Sequence, residues 1–141
     1  MNETNRYAPP KAEVSDVTLS FKGSRIDALK VSDAWKTRFR LIERAGGVKL
    51  PNLKALAFGQ RMKVMFNVLA FLFGPLYYLA KGLWKKALVL FAICVVVVVV
   101  ADLVMGDRLG NAIGIATGAL FAVRANIDFY KKKVLGDDGW W

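Results

Sequence analysis

Six consecutive valines, Val95 to Val100, lie inside an uncharged run at residues 87–101. A soluble core rarely needs six adjacent residues that are apolar on every side, whether the backbone is helical or extended, but a lipid bilayer does. Because a helix in lipid satisfies its backbone hydrogen bonds internally, the weak helix propensity of valine does not prevent a helix there. The run therefore predicts a membrane-spanning helix in an all-α membrane protein.

Three apolar segments divide the chain beyond residue 63. Residues 64–80 contain a Gly-Pro pair, Gly74 and Pro75, at their middle. Because proline removes a backbone donor and its ring clashes with the preceding turn, this segment is predicted to be kinked. Residues 87–104 would span roughly 27 Å as a helix, close to the thickness of the hydrocarbon layer. Residues 109–129 reach a similar length and complete a predicted transmembrane helical hairpin.

The distribution of basic residues predicts the topology. The loop at residues 81–86 carries three positive charges and no acid, and residues 131–133 are all lysine. Because positively charged loops stay cytoplasmic, three full spans from a cytoplasmic N-terminus would place both on the wrong side. If the first apolar segment is instead re-entrant, returning at its Gly-Pro kink, or lies tilted in the inner leaflet, every basic residue except Arg108 stays inside. We therefore predict a multi-pass protein of the bacterial inner membrane with both termini cytoplasmic. Three straight-through spans are the alternative.

Residues 32–45 are predicted to form an amphipathic helix. Ser32 can cap its start, Asp33 suits the positive end of the helix dipole, and Gly46 can end it. The apolar side chains share one side and the basic ones the other: Trp35, Phe39, Leu41, Ile42 and Ala45 against Lys36, Arg40 and Arg44. Such a helix either lies on the membrane surface, with its basic side chains reaching the headgroups, or packs on the body of the protein.

Four regions follow from these patterns. Residues 1–31 form a largely irregular leader, and residues 32–63 hold the basic amphipathic helices, the second of which leads into the membrane. Residues 64–130 are the membrane domain. Residues 131–141 form a basic and aromatic tail.

Small residues recur every four positions in the third apolar segment. Gly110, Gly114 and Gly118 are followed by Ala122, which aligns a smooth stripe along one helix face. Small residues let helix backbones approach closely in lipid, where the hydrophobic effect does not drive association. The stripe predicts helix packing, either against the valine-rich helix of the same chain or against a second copy or a partner helix.

Charged residues flank the apolar segments and are absent from their centres. Arg124 and Asp128 are four residues apart and can pair along the third helix. Asp102 lies near the opposite end and is interpreted as interfacial. A path for protons or ions would place ionisable groups near the middle of the membrane.

The basic residues around the predicted membrane boundary are candidates for binding anionic lipid headgroups. They are Lys36, Arg40, Arg44, Lys81, Lys85, Lys86, Arg124, Lys131, Lys132 and Lys133. A net charge of +10 agrees with such a partner. Tyrosine and tryptophan near the same boundaries fit an aromatic belt.

The chain contains no histidine, the commonest general base and metal ligand. Phosphate-cradling glycine motifs, paired CxxC motifs and a GxSxG elbow are absent as well. We therefore predict no enzymatic activity, no metal and no cofactor. Residues 1–63 are basic, but no recognition motif organises them, and no nucleic-acid partner is expected.

The run FNVLAFLFGPLYYLAKGLWKKAL at residues 66–88 resembles a family of small bacterial inner-membrane proteins of unknown function, sometimes called HrgC-like. The blocks WKTRFRLIERAGG at residues 35–47 and RANIDFYKKK at residues 124–133 are similar to its flanking blocks. The resemblance implies a membrane location and supplies no catalytic residue.

The leading hypothesis is a non-enzymatic accessory or interaction protein of the inner membrane. It would act through helix–helix contacts with itself or another membrane protein and through contacts with anionic lipid. The alternative is a small oligomeric transporter or pore. A polar lumen would have to come from Asn67, Asn111, Thr117 and Asn126, too few for one chain.

Overall fold

A computed structural model describes residues 25–106 and 110–141, and within these ranges the chain is helical and contains no strand. The helices are α1 (Asp33–Arg44), α2 (Phe58–Met65), α3 (Val68–Phe73), α4 (Pro75–Ala80), α5 (Trp84–Met105) and α6 (Gly110–Tyr130). Short 3-10 turns at Gly47–Lys49 and Leu53–Ala55 join α1 to α2, and a π-helical turn at Lys131–Leu135 extends α6. The expectations for the leader at residues 1–24 and for Arg108 lie outside the described residues.

The first amphipathic helix, α1, forms where the sequence predicts it and packs on the protein. Ser32 precedes it in an extended conformation but makes no side-chain cap hydrogen bond, and Gly46 follows it with φ +94°. Its apolar side is buried against the end of α6: the Trp35 and Phe129 rings meet edge-on with centroids 4.6 Å apart. The apolar side of α1 therefore packs on the body of the protein, which is one of the two locations that the sequence predicts for this helix.

The first apolar segment is broken into two helices of six residues each, α3 and α4. The break is at Gly74, whose φ of +47° is unfavourable for any residue with a Cβ. Pro75 then occupies the first position of α4, where its missing N–H costs no hydrogen bond. Each helix is about 9 Å long, so neither crosses a bilayer alone.

Contacts with α6 trace the direction of this segment. The Asn67 N–H donates to the Ala122 carbonyl at 3.1 Å, and further along α3 the Phe71 side chain lies beside Gly118, nearer the start of α6. After the break, the Tyr78 hydroxyl donates to Asp128 at 3.0 Å, and the Gly82 carbonyl accepts from Lys132. The segment therefore runs toward the middle of α6, reverses at Gly74 and returns to the end where it began.

Two helices, at Trp84–Val104 and Asn111–Leu135, are long and apolar enough to cross a membrane. In the first, only 17% of the most apolar window is buried inside the protein. All six valines are more than 40% exposed, as are Leu103 and Val104. A core helix of a soluble protein would have most of this surface covered.

The densest packing lies at one end of the long helices, where α1, α4, the start of α5 and the end of α6 meet. Its largest fully buried side chains include Phe39, Ile42, Tyr78, Leu83 and Leu90. This end also holds the basic residues at 81–86, which join α4 to α5 and form the first turn of α5, and the lysines of the tail, and we refer to it as the basic end.

Candidate functional site

Cations at the basic end lie against buried aromatic rings of the core. The Lys81 ammonium lies 5.2 Å from the centroid of the Trp35 ring and 5.1 Å from that of Phe129. The Arg38 guanidinium lies 4.9 Å from the Trp35 centroid, and the Lys133 ammonium lies 5.9 Å from the Phe129 centroid. The two rings therefore hold three cations close together by cation–π contacts.

These cations lack a neutralising partner in the part of the chain that the structure describes. Within residues 25–106 and 110–141, no carboxylate lies within 4 Å of Arg38, Lys81 or Lys133. Burial lowers the pKa of Lys81, and the nearby charges of Arg38 and Lys133 lower it further. Bringing like charges together beside apolar rings favours the entry of an anion, which would offset their repulsion.

A cleft of about 380 Å³ opens beside these rings. Three lysines line it, Lys30, Lys81 and Lys133, together with Ser32 before the start of α1 and Ala80 at the end of α4. We call this space the lysine cleft. Its size is at the lower end of the range for small-molecule sites.

Other predicted headgroup residues hold the tail against the body. Lys132 donates to the Gly82 carbonyl and to Asp138 at 2.9 Å, and this bond lowers the pKa of Asp138. Lys85 donates to the Asp138 carbonyl at 3.0 Å. The Arg124 guanidinium stacks on the Trp141 ring at 3.8 Å. These cations are already engaged within the protein.

Among the remaining predicted headgroup residues, Arg40 pairs with Asp27, and both side chains are about half exposed. Lys36 and Lys131 are partly exposed and Arg44 is exposed. Their ammonium and guanidinium groups are therefore accessible from outside the protein.

Lys86, which the sequence predicts to bind a headgroup, is buried inside the protein. Its side chain is 3% exposed and its ammonium lies 3.3 Å from the Asp128 carboxylate, which is equally buried. The Tyr78 hydroxyl donates to the same carboxylate at 3.0 Å, and Arg124 lies 3.7 Å from it, as their four-residue spacing predicts. The expectation for Lys86 is corrected, because a buried ammonium with an internal partner cannot reach lipid. Sequence reasoning missed this pair, whose members are 42 residues apart.

A second buried polar group anchors the start of the first apolar segment. The Asn126 amide donates to the Lys63, Val64 and Phe66 carbonyls at 2.9–3.3 Å. Its oxygen accepts from the Asn67 amide at 3.0 Å, and that amide also donates to the Tyr77 hydroxyl. The Asn126 side chain of α6 thus supplies hydrogen-bond donors to the backbone carbonyls at the junction of α2 and α3.

Only part of the stripe of small residues packs against another helix of the chain. A Cβ on Gly118 would lie 3.0 Å from the Phe71 carbonyl oxygen and 3.3 Å from its ring, so α3 packs directly on this glycine. Ala122 is fully buried. A Cβ on Gly114 would meet nothing within 4 Å, and the surroundings of Gly110 lie outside the described residues. The nearest neighbour of Gly118 is therefore α3 and not the valine-rich helix.

The far end of the long helices carries an open apolar groove. One cavity of about 370 Å³ is lined by Val98, Val99, Asp102 and Gly114, among others. A second, of about 320 Å³, shares the two valines and continues toward Pro75. Asp102 is exposed at the rim. Within the described ranges no group of three or more His, Cys, Asp or Glu side chains could hold a metal ion.

Sequence comparisons now place the chain among known proteins. Residues 18–134 match DUF2628, a family described as proteins of unknown function. The chain belongs to the DUF2628 family. It is 33% identical over 122 residues to the uncharacterised protein YigF of Escherichia coli K12, covering 78% of this chain and 90% of YigF. It is 30% identical over 118 residues to YigF of Salmonella typhimurium, with the same coverage.

No solved structure matches the chain. The comparisons agree with the predicted membership of a family of unknown function, while the HrgC-like name stays a prediction.

Proposed function

We propose that this DUF2628 protein is a non-enzymatic accessory protein of the bacterial inner membrane that works through contacts with anionic lipid and with other membrane helices. The observation that carries the proposal is the contrast between its two ends. A broad apolar surface covers the long helices, and at one end aromatic rings lie beside cations that have no carboxylate partner among the described residues.

The apolar surface supports insertion in lipid. On α3 and α4, Leu69, Leu72, Leu76 and Leu79 are all more than half exposed. Together with the exposed valines of α5, they leave bare aliphatic side chains on several helices. Soluble monomers rarely expose contiguous apolar surface on this scale.

The reversal at Gly74 supports the re-entrant arrangement. Since the first apolar segment returns to the basic end, the protein would cross the membrane twice, with α5 and α6. The basic end would then face the anionic inner leaflet on the cytoplasmic side. Exposed Trp84 and Trp140, whose rings meet at 5.6 Å, would lie at the boundary of that leaflet.

The contacts do not favour the pore alternative. The Asn67 amide donates to Asn126 and to the Tyr77 hydroxyl, and the Asn126 amide donates to backbone carbonyls, so both side chains are engaged inside one chain. Without them, Asn111 and Thr117 are left to supply a polar lumen. Ion flux through vesicles containing the purified protein would support the pore instead.

The test of the proposed function is isolation of the tagged full-length protein in native membrane nanodiscs, followed by mass spectrometry of the co-isolated lipids and proteins. We expect enrichment of anionic phospholipid relative to the bulk membrane, together with a stoichiometric membrane protein or a second copy of the chain. Recovery of the protein in the soluble fraction after cell lysis would contradict the proposal.

A further inference from the structure

We propose that the lysine cleft binds the phosphate of a single anionic phospholipid, whose acyl chains lie along the exposed face of α4. The inference rests on the proposed function, because it needs the basic end to face a leaflet. It goes further by replacing a diffuse attraction between surface charges with a defined site for one headgroup.

The charge of the cleft selects an anion. Lys30, Lys81 and Lys133 line one space, and no carboxylate within residues 25–106 and 110–141 pairs with any of them. By contrast, Lys132 and Lys85 nearby share Asp138. Among the described residues, the cations of the cleft thus have no carboxylate partner, whereas their neighbours do.

The core places one cation of the cleft without a ligand. The Lys81 ammonium lies 5.2 Å from the Trp35 ring centroid and 5.1 Å from that of Phe129, and these two rings contact each other edge-on. Both rings are buried in the core, so the position of this ammonium is set by the packing of α1 on α6. A phosphate entering the cleft would meet a cation already in place and would spend little free energy in ordering it. Charge-assisted hydrogen bonds from ammonium groups to phosphate oxygens are the strong class of hydrogen bond.

The surroundings select a lipid over a soluble phosphate. Ala80 lines the cleft at the end of α4, and Leu79 and Leu76 precede it with 51% and 65% of their surfaces exposed. An aliphatic surface therefore runs directly up to the lysines. A phosphodiester in the cleft would have its acyl chains lying against this surface, which a free phosphate would leave bare.

The site is tested with the full-length protein purified in detergent and depleted of lipid. Binding of short-chain phosphatidylglycerol is measured in parallel with binding of inorganic phosphate. The test variant is K81Q/K133Q, and the matched control is K49Q/K54Q, which removes two exposed lysines outside the cleft. K30Q, at an exposed position of the cleft, provides a second test if the double variant does not fold.

We expect one phosphatidylglycerol per protein, at least tenfold weaker binding by K81Q/K133Q, weaker binding by K30Q, and unchanged binding by K49Q/K54Q. Equal losses in the cleft and control variants would overturn the proposal in favour of diffuse attraction. Inorganic phosphate that binds as tightly as the lipid would also overturn it, because the ligand would then be a soluble phosphate compound. Either result would leave the membrane location of the protein unaffected. The proposed function is contradicted by a different observation, recovery of the protein in the soluble fraction.

Discussion

The two ends of the long helices are stabilised in different ways. At the basic end, α1, α4 and the tail pack on α5 and α6, and buried polar side chains find partners from distant parts of the chain. At the far end, most side chains of both helices are exposed, and the groove between them is open. The structure is therefore specified at one end by its own contacts, while the other end depends on the solvent around it, which we propose is lipid.

The largest expected difference between the ends concerns buried charge. Replacing Asp128 with Ala leaves the Lys86 ammonium buried without its carboxylate, which should cost about 3–5 kcal/mol of unfolding free energy. Replacing Asp102, exposed at the far end, should have little effect. Both variants are compared with the wild type by chemical unfolding in the same detergent.

A double variant sharpens this test. Lys86→Met combined with Asp128→Leu removes both charges, so it should recover at least half of the loss caused by Asp128→Ala. A cost below about 1 kcal/mol for Asp128→Ala would mean that the pair is not buried from solvent as described.

The next effect concerns the carbonyls between α2 and α3. Asn126→Ala removes a donor to three of them, and we expect a loss of about 2–3 kcal/mol because buried carbonyls are left unsatisfied. Hydrogen exchange of residues 66–73 should become faster, since the start of α3 loses its anchor. Asn111→Ala, an exposed position near the start of α6, is the matched control. If both substitutions lowered the unfolding free energy equally, the two ends would not differ in how their buried polar groups are stabilised.

The stripe of small residues allows a smaller comparison within one helix. Gly118→Ala places a methyl group 3.0 Å from the Phe71 carbonyl oxygen and should destabilise the fold by about 1–3 kcal/mol. Gly114→Ala meets nothing within 4 Å, so the stability of the monomer should change by less than about 0.5 kcal/mol. If Gly114→Leu abolishes self-association measured by crosslinking, this half of the stripe contacts another helix. If association is unchanged, it faces lipid.

The smallest effect is expected on the valine-rich helix. Val96 is 61% exposed, so Val96→Leu should change the unfolding free energy by less than about 0.5 kcal/mol in detergent. Val64→Leu, at a fully buried position, should cost about 1–3 kcal/mol through overpacking. A loss above 1 kcal/mol for Val96→Leu would indicate that another protein surface covers this helix.

The sequence was informative wherever a local pattern decides the structure. Periodicity predicts α1 and its buried side, the Gly-Pro pair predicts the break at Gly74, and the uncharged run predicts α5. Contacts between distant residues leave no such pattern. Lys86 follows Lys85 in one basic stretch, and only the packing of α4 and α5 on α6 separates the buried lysine from the partly exposed one.

The same limit applies to the candidate site. The positions of Lys81 and Lys133 predict headgroup binding, but the Phe129 ring that both contact belongs to α6, and the Trp35 ring beside Lys81 belongs to α1, far away in the sequence. Lys30 was not among the predicted residues, since it belongs to no helix or motif. The partner of Gly118 was also misjudged, because spacing identifies a smooth helix face and does not say which neighbour packs on it.

The central claim is that the first apolar segment turns back, so that the basic end stays on the cytoplasmic side. The most direct test fuses either green fluorescent protein or alkaline phosphatase to the C-terminus of the full-length chain in bacterial cells. The two-span arrangement predicts a fluorescent first fusion and an inactive phosphatase. An active phosphatase with no fluorescence would place the C-terminus in the periplasm and contradict the claim in favour of three spans.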